Sequence, residues 1–295
     1  MRRRAVSFLV PVFFLFFLFI PSSFSESLIK IVDWSDLSDR SISASGRAAL
    51  QIHRDLWKHA ETEHFVYHFR DEREAETVYV HAEAYYGWIK QMFGITEDTW
   101  PVKCHIYVFE NKTIWKEFNQ EPGERLPGAE AYTNGTELFI YREPFYLEPQ
   151  KVLAHEITHI VVHRFIKGTV PLYLNEGFAE FMAYKAIALQ ADGNEYNLRT
   201  IAMIPEKDFV PIDKLASMKN YPETPEAKGI FYHESELFAR YLILNNDPKK
   251  FYSLLERSAS GVSLKQALQE TYGMDLENLI QKFRMYAVVS RRTGI

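Results

Sequence analysis

The stretch Val152-Leu-Ala-His-Glu-Ile-Thr-His-Ile-Val-Val-His163 constrains this chain more than any other, because it sets His155, Glu156 and His159 at H-E-x-x-H spacing on a strongly apolar segment. On an α-helix, positions i and i+4 lie on one face about one turn apart, so the two imidazoles can meet on a single tetrahedral metal ion. Glu156 lies about 100° around the helix, where its carboxylate can face a metal-associated water instead of the metal. That is where a general base for hydrolysis has to be. The same two histidines could also be ordinary residues of an amphipathic helix, so a third ligand decides between the readings.

Zinc held by two His needs another protein ligand and an open position for water. A Gly three residues past the second His and a His three further on would complete one known pattern, but Val162 and Phe165 stand there. His163 lies about 12 Å along the axis from His155, at ~1.5 Å per residue, and is expected to face solvent or a neighbouring helix. Downstream, Pro171-Leu-Tyr-Leu-Asn-Glu-Gly-Phe-Ala-Glu-Phe181 opens a second helix, expected over residues 172–191. Glu176, with sixteen residues between it and His159, is the third-ligand candidate.

Together H-E-I-T-H and N-E-G-F-A-E resemble the gluzincin metallopeptidases, the group containing thermolysin and the aminopeptidase N family. The spacing is shorter than in those two. The chain is most similar to the peptidase MA-like families of bacterial, often exported proteins, over roughly residues 62–288. This resemblance implies an α+β, zincin-like fold: a small mixed sheet with an edge strand above a two-helix zinc site, followed by a helical C-terminal subdomain. It implies one Zn2+ per chain on His155, His159 and Glu176. Glu180, one turn past Glu176, is then the acid that holds the first zinc His, or else an exposed helix carboxylate. The oxyanion donor is expected at Tyr232, 56 residues beyond Glu176, with His233 as the alternative. Tyr232 could also be core packing, one of seventeen tyrosines. An edge strand at Ala129, Glu130 and Ala131 would take extended substrate by main-chain pairing. The Glu there is one place early for the aminopeptidase strand, so aminopeptidase specificity is not inferred.

The expected activity is peptide-bond hydrolysis, with Glu156 taking a proton from water and passing it to the leaving amine. A non-catalytic binding or assembly protein is disfavoured, because a purely structural zinc is normally closed by four protein ligands and needs no acid at 156. Zinc-dependent hydrolysis of a non-peptide amide or ester passes through the same kind of intermediate, and the site residues do not separate it.

Met1-Arg-Arg-Arg4 precedes an apolar run of about sixteen residues from Ala5 to Ile20, then Pro21 and the small residues Ser22, Ser23 and Ser25. The run is short of the ~20 residues that span a bilayer, so a signal peptide is expected over 1–25 and a periplasmic or extracellular destination with it. An uncleaved N-terminal anchor is the alternative, and the membrane enters only that way. Loss of Arg2, Arg3 and Arg4, with no acid before Glu26, takes the formal charge from −5 to −8. A mildly acidic protein lacks the basic face that nucleic acid requires. The composition, 47% hydrophobic and 25% charged, is that of a globular chain. Cys104 is the single cysteine, so no internal disulfide exists, and its apolar setting marks a small buried side chain.

Residues 26–61 are expected as an N-terminal extension with a helix near 47–58, residues 62–192 as the α+β part of the domain, and 193–288 as its mainly helical part. Strands are expected at 63–69, with His64 and His68 on one structural face, and at 102–109. Asn134-Gly135 between the alternating segments 129–133 and 137–142 is a strong hairpin signal. Helices are expected at 73–93, stopped by Gly94, at 112–118, at 228–243, after Asp247-Pro248, and at 263–272 and 276–289.

Overall fold

The structure is a computed structural model describing residues 28–97, 102–120, 130–141, 149–191 and 204–289. The expected signal peptide at 1–25, the loop at 123–128, Ala129 and residues 193–203 lie outside them.

In chain order the elements are β1 (Ile31–Val32), α1 (Ala44–Gln51), β2 (Lys58–Glu61), β3 (Phe65–Phe69), α2 (Glu72–Phe93), β4 (Cys104–Phe109), α3 (Lys112–Gln120), β5 (Ala131–Asn134) and β6 (Glu137–Tyr141). They continue as α4 (Pro149–Phe165), α5 (Leu172–Ala191), β7 (Ile204–Pro205), α6 (Ile212–Ser217), α7 (Pro225–Leu244), α8 (Pro248–Ala259), α9 (Leu264–Tyr272), α10 (Leu276–Ala287) and β8 (Val288–Val289). This is an α+β architecture, and the sheet order is β1-β2-β3-β4-β6-β5. The three middle strands β3, β4 and β6 run parallel; β1, β2 and β5 add antiparallel at the two ends. Among the described residues no helix is long and apolar enough to cross a membrane.

Local chemistry sets the boundaries. Asp71 accepts from the Arg73 amide at the start of α2, and Gly94 ends that helix at φ 71°, a left-handed position that favours glycine. Asp247 and Ser263 cap α8 and α9 in the same way. On one face of the sheet Phe65, Tyr67, Ile106, Val108, Leu138 and Ile140 pack with α2, α4 and α5 in the main core. On the other, Tyr107, Phe109 and Phe139 pack under α1 and α3. With both faces covered, β3 and β4 are buried at every position, which hides the alternation that a half-exposed strand would show.

The N-terminal extension expected over residues 26–61 supplies β1 and β2 to the sheet from residue 31 onward. Ser43, the cap of α1, docks that helix by donating its amide at 2.8 Å and its hydroxyl to the buried Glu137 carboxylate on β6. The helix expected to 58 stops at Gln51, because Lys58–Glu61 pairs along β3; tertiary pairing overrides a weak local preference. At the other end, Val288 and Val289 leave the last helix to pair with Ile204 and Pro205.

His64 and His68 do not share a face. His64, in the bend before β3, hydrogen-bonds Glu83 of α2 through Nδ1 at 2.6 Å, whereas His68 joins His59 and His105. The contacts are His59 Nδ1 to His68 Nδ1 at 2.8 Å and His68 Nε2 to His105 Nδ1 at 2.9 Å, with Asp39 3.9 Å beyond His105 Nε2. Burial pushes all three imidazoles down, His105 to about 4 although Asp39 pulls the other way. The folded state therefore prefers the neutral rings. Their contribution to stability is complete above the unfolded value near 6.5 and declines as pH falls from there towards 4. An NMR titration should give His105 a midpoint near 4, with unfolding free energy decreasing across that window. A midpoint above 6 would contradict the burial argument.

Candidate active site and metal centre

Helix α4 is buried nearly all round: Leu153, Ala154, Ile157, Ile160 and Val161 are at most 1% exposed. A helix so enclosed can present polar groups only at an internal cleft. One is present, of about 640 Å³, bordered by His155, Glu156 and His159 of α4, Glu176 of α5, Tyr232 of α7, and Ala131 to Thr133 of β5.

Within it, His155 Nε2 and His159 Nε2 are 3.0 Å apart, and Glu176 Oε2 is 3.4 Å from the first and 3.6 Å from the second. Among the described residues these three form a group able to hold a metal ion. The fit can be tested by geometry. Ligands at 2.0–2.1 Å on a tetrahedral zinc stand roughly 3.3–3.4 Å from one another, and the observed edges bracket that value. The donor set, two imidazoles and one carboxylate, is also one that zinc accepts.

The surroundings prepare these groups. Glu180 Oε1 lies 3.1 Å from His155 Nδ1, so a proton held at Nδ1 leaves the Nε2 lone pair facing Glu176. Lys151 sits 3.9 Å from the other Glu180 oxygen, and that carboxyl is held low: burial alone would raise it, but the bond and charge of His155 outweigh burial. Glu180 is thus no exposed helix carboxylate. His155 shows the reverse balance, since burial would lower it while Glu176 and Glu180 carry it up to about 10. Glu176 is held well below the carboxylate range by the two histidines against its burial. Glu156 is only 8% exposed and lies on the cleft wall. Its burial, reinforced by Glu176 and Glu180, outweighs the two histidines and raises its carboxyl.

The remaining candidates divide clearly. Tyr232 faces the cleft with its ring 6.4 Å from that of His155. His233, its alternative, lines a different cavity with Asp208, Glu226 and Ile230. Adjacent helical residues diverge by about 100°, so the phase that turns Tyr232 to the site turns His233 away. Ala131 borders the cleft on β5, the last strand of the sheet, while Glu130 is exposed and outside the lining. His163 is exposed on the cleft rim, two helical turns along the axis from His155 and too far along it to join the ligands.

Tyr221 was not singled out from the sequence. Its hydroxyl donates to Glu176 Oε1 at 2.7 Å, and its ring stacks on that of Tyr232 with centroids 5.9 Å apart. It thereby ties up the Glu176 oxygen that points away from the histidines. Tyr221 comes from the irregular stretch before α7, where no periodicity marks a side chain's direction.

A family model described as the Peptidase MA superfamily matches residues 91–289. No curated protein matches the chain. The matched span begins within α2 and contains α4, α5 and α7, and so every residue assigned above to the cleft. The chain belongs to this family.

Proposed function

We propose that this member of the Peptidase MA superfamily is an exported zinc metallopeptidase that hydrolyses peptide bonds in the cleft over α4. The observation that carries the reading is the convergence of His155 Nε2, His159 Nε2 and Glu176 Oε2 beside a buried acid, Glu156, that is not itself part of the trio. A zinc ion bound by the trio supplies Lewis acidity for activating water and polarising a substrate carbonyl. Glu156, buried on the cleft wall beside the trio, takes the proton of the attacking water. It then returns that proton to the leaving amine. Tyr232, a neutral phenol whose ionisation is pushed up chiefly by burial, donates a hydrogen bond to the oxygen on which charge develops. Extended substrate adds to the unpaired side of β5, antiparallel pairing on its other side being taken by β6. Export rests on the Arg2–Arg4 and apolar Ala5–Ile20 pattern.

The test is zinc content and peptide cleavage by residues 26–295. One zinc per chain, and cleavage of a mixed quenched-fluorescence peptide library that stops on chelation and returns with zinc, are expected. Protein that takes up no zinc on reloading, or zinc-loaded protein that cleaves no peptide, would overturn the reading.

A further inference from the structure

Lys228 stands on the rim of the same cleft, in the first turn of α7 and one turn before Tyr232. That is an unfavourable place for a cation, since the N-terminal end of a helix carries the positive end of its dipole. No carboxylate compensates: among the described residues Lys228 makes no ion pair. Its neighbours are aromatic faces, with Nζ 5.1 Å from the centre of the Tyr221 ring and 5.9 Å from that of Tyr232. Both rings belong to the site, one bonded to Glu176 and the other beside His155. The ammonium is therefore held one aromatic ring away from the metal ligands. Ring faces attract it without consuming its N–H donors, which stay available to a ligand entering from the exposed side.

We propose that Lys228 is the docking point for a substrate carboxylate, so that the enzyme acts on peptides carrying an acidic side chain or a free C-terminus close to the scissile bond. The proposal rests on the metallopeptidase reading and names its substrate class. A zinc ion on the trio would offset the charges of Glu156 and Glu176, which leaves Lys228 as a positive charge on the cleft rim able to draw in an anionic group of the substrate. Its effect should weaken with added salt.

Binding isolates the effect from turnover. Glu156→Gln protein, residues 26–295 and loaded with zinc, is titrated by fluorescence anisotropy with three labelled peptides: one with Glu and an amidated end, one with Gln and an amidated end, and one with Gln and a free C-terminus. At least one carboxylate peptide is expected to bind about tenfold tighter than the neutral one, the scale of a charge-assisted contact. Which one gains identifies the source of the carboxylate. Adding Lys228→Met should bring the ratio near one, and Lys228→Glu should reverse it. Equal affinities for all three peptides, no binding of any, or a preference that survives Lys228→Met would overturn the proposal. Cleavage by the wild type is scored separately: cleavage without a carboxylate preference sinks only the docking point, and a carboxylate preference without cleavage sinks only the peptidase reading.

Discussion

Replacing Glu156 with Gln is expected to leave one zinc per chain and to lower the turnover of peptide substrates at least about a hundredfold, the lower end for loss of a general base. The substitution keeps the shape and volume of a side chain that is 8% exposed, so packing around α4 should not change. The trio of His155, His159 and Glu176 is untouched, and a neutral amide no longer repels Glu176 and Glu180, the neighbours that help raise the Glu156 carboxyl. Metal affinity should therefore hold. What disappears is a lone pair basic enough to accept the proton of water, and no neighbour replaces it: the other carboxylate that lines the cleft among the described residues, Glu176, is occupied by Tyr221 and the histidines. Zinc analysis and turnover on the same preparation decide the matter. Turnover within about threefold of the wild type in a zinc-loaded variant would remove Glu156 as the base. Zinc loss would make it a structural group instead.

The centre of this site is legible in the sequence because its geometry is local. His155, Glu156 and His159 lie within five residues, and helical phase alone fixes their directions; Glu176 and Glu180 repeat the argument on the next helix. The resemblance supplied the link between the two helices, and α4 and α5 run over the residues that pattern and punctuation give. Other features were hidden because they depend on how distant segments meet. The row of His59, His68 and His105 exists only once β2, β3 and β4 are in register. Tyr221 reaches Glu176 across 45 residues from an irregular segment. Strands of two and four residues such as β1 and β2 bury too little to leave a periodic signal, so an N-terminal stretch built into the sheet reads as an appendage. Tyr232 and His233 are separable in principle by phase, but only when the face that α7 turns to α5 is known.

Gly177 is where that face is set, and Gly177→Ala is expected to reduce turnover roughly ten- to a hundredfold with a modest net loss of stability. A Cβ at this position would sit 2.2 Å from the Ser235 carbonyl oxygen and 2.6 Å from its carbon, both backbone atoms of α7 that cannot swing aside as a side chain would. Restoring contact distance means moving α5 and α7 apart by about an ångström, since packed interiors have no slack to absorb it. Two effects oppose each other in stability. Overpacking costs about 1–3 kcal/mol, and alanine returns up to ~1 kcal/mol of helix propensity over glycine. They leave a modest net loss. In rate there is no such offset: α5 carries Glu176 and α7 carries Tyr232, so the ligand and the oxyanion donor separate by the same ångström. A displacement of that size in a catalytic array can cost about a hundredfold. Gly87→Ala is the control, because a Cβ there meets nothing within 4 Å on a helix that contributes no residue to the cleft; it should gain helix propensity alone. Thermal melts and kcat of both variants test the contact. A Gly177→Ala enzyme with wild-type turnover would show that Glu176 and Tyr232 are positioned independently of the α5–α7 approach.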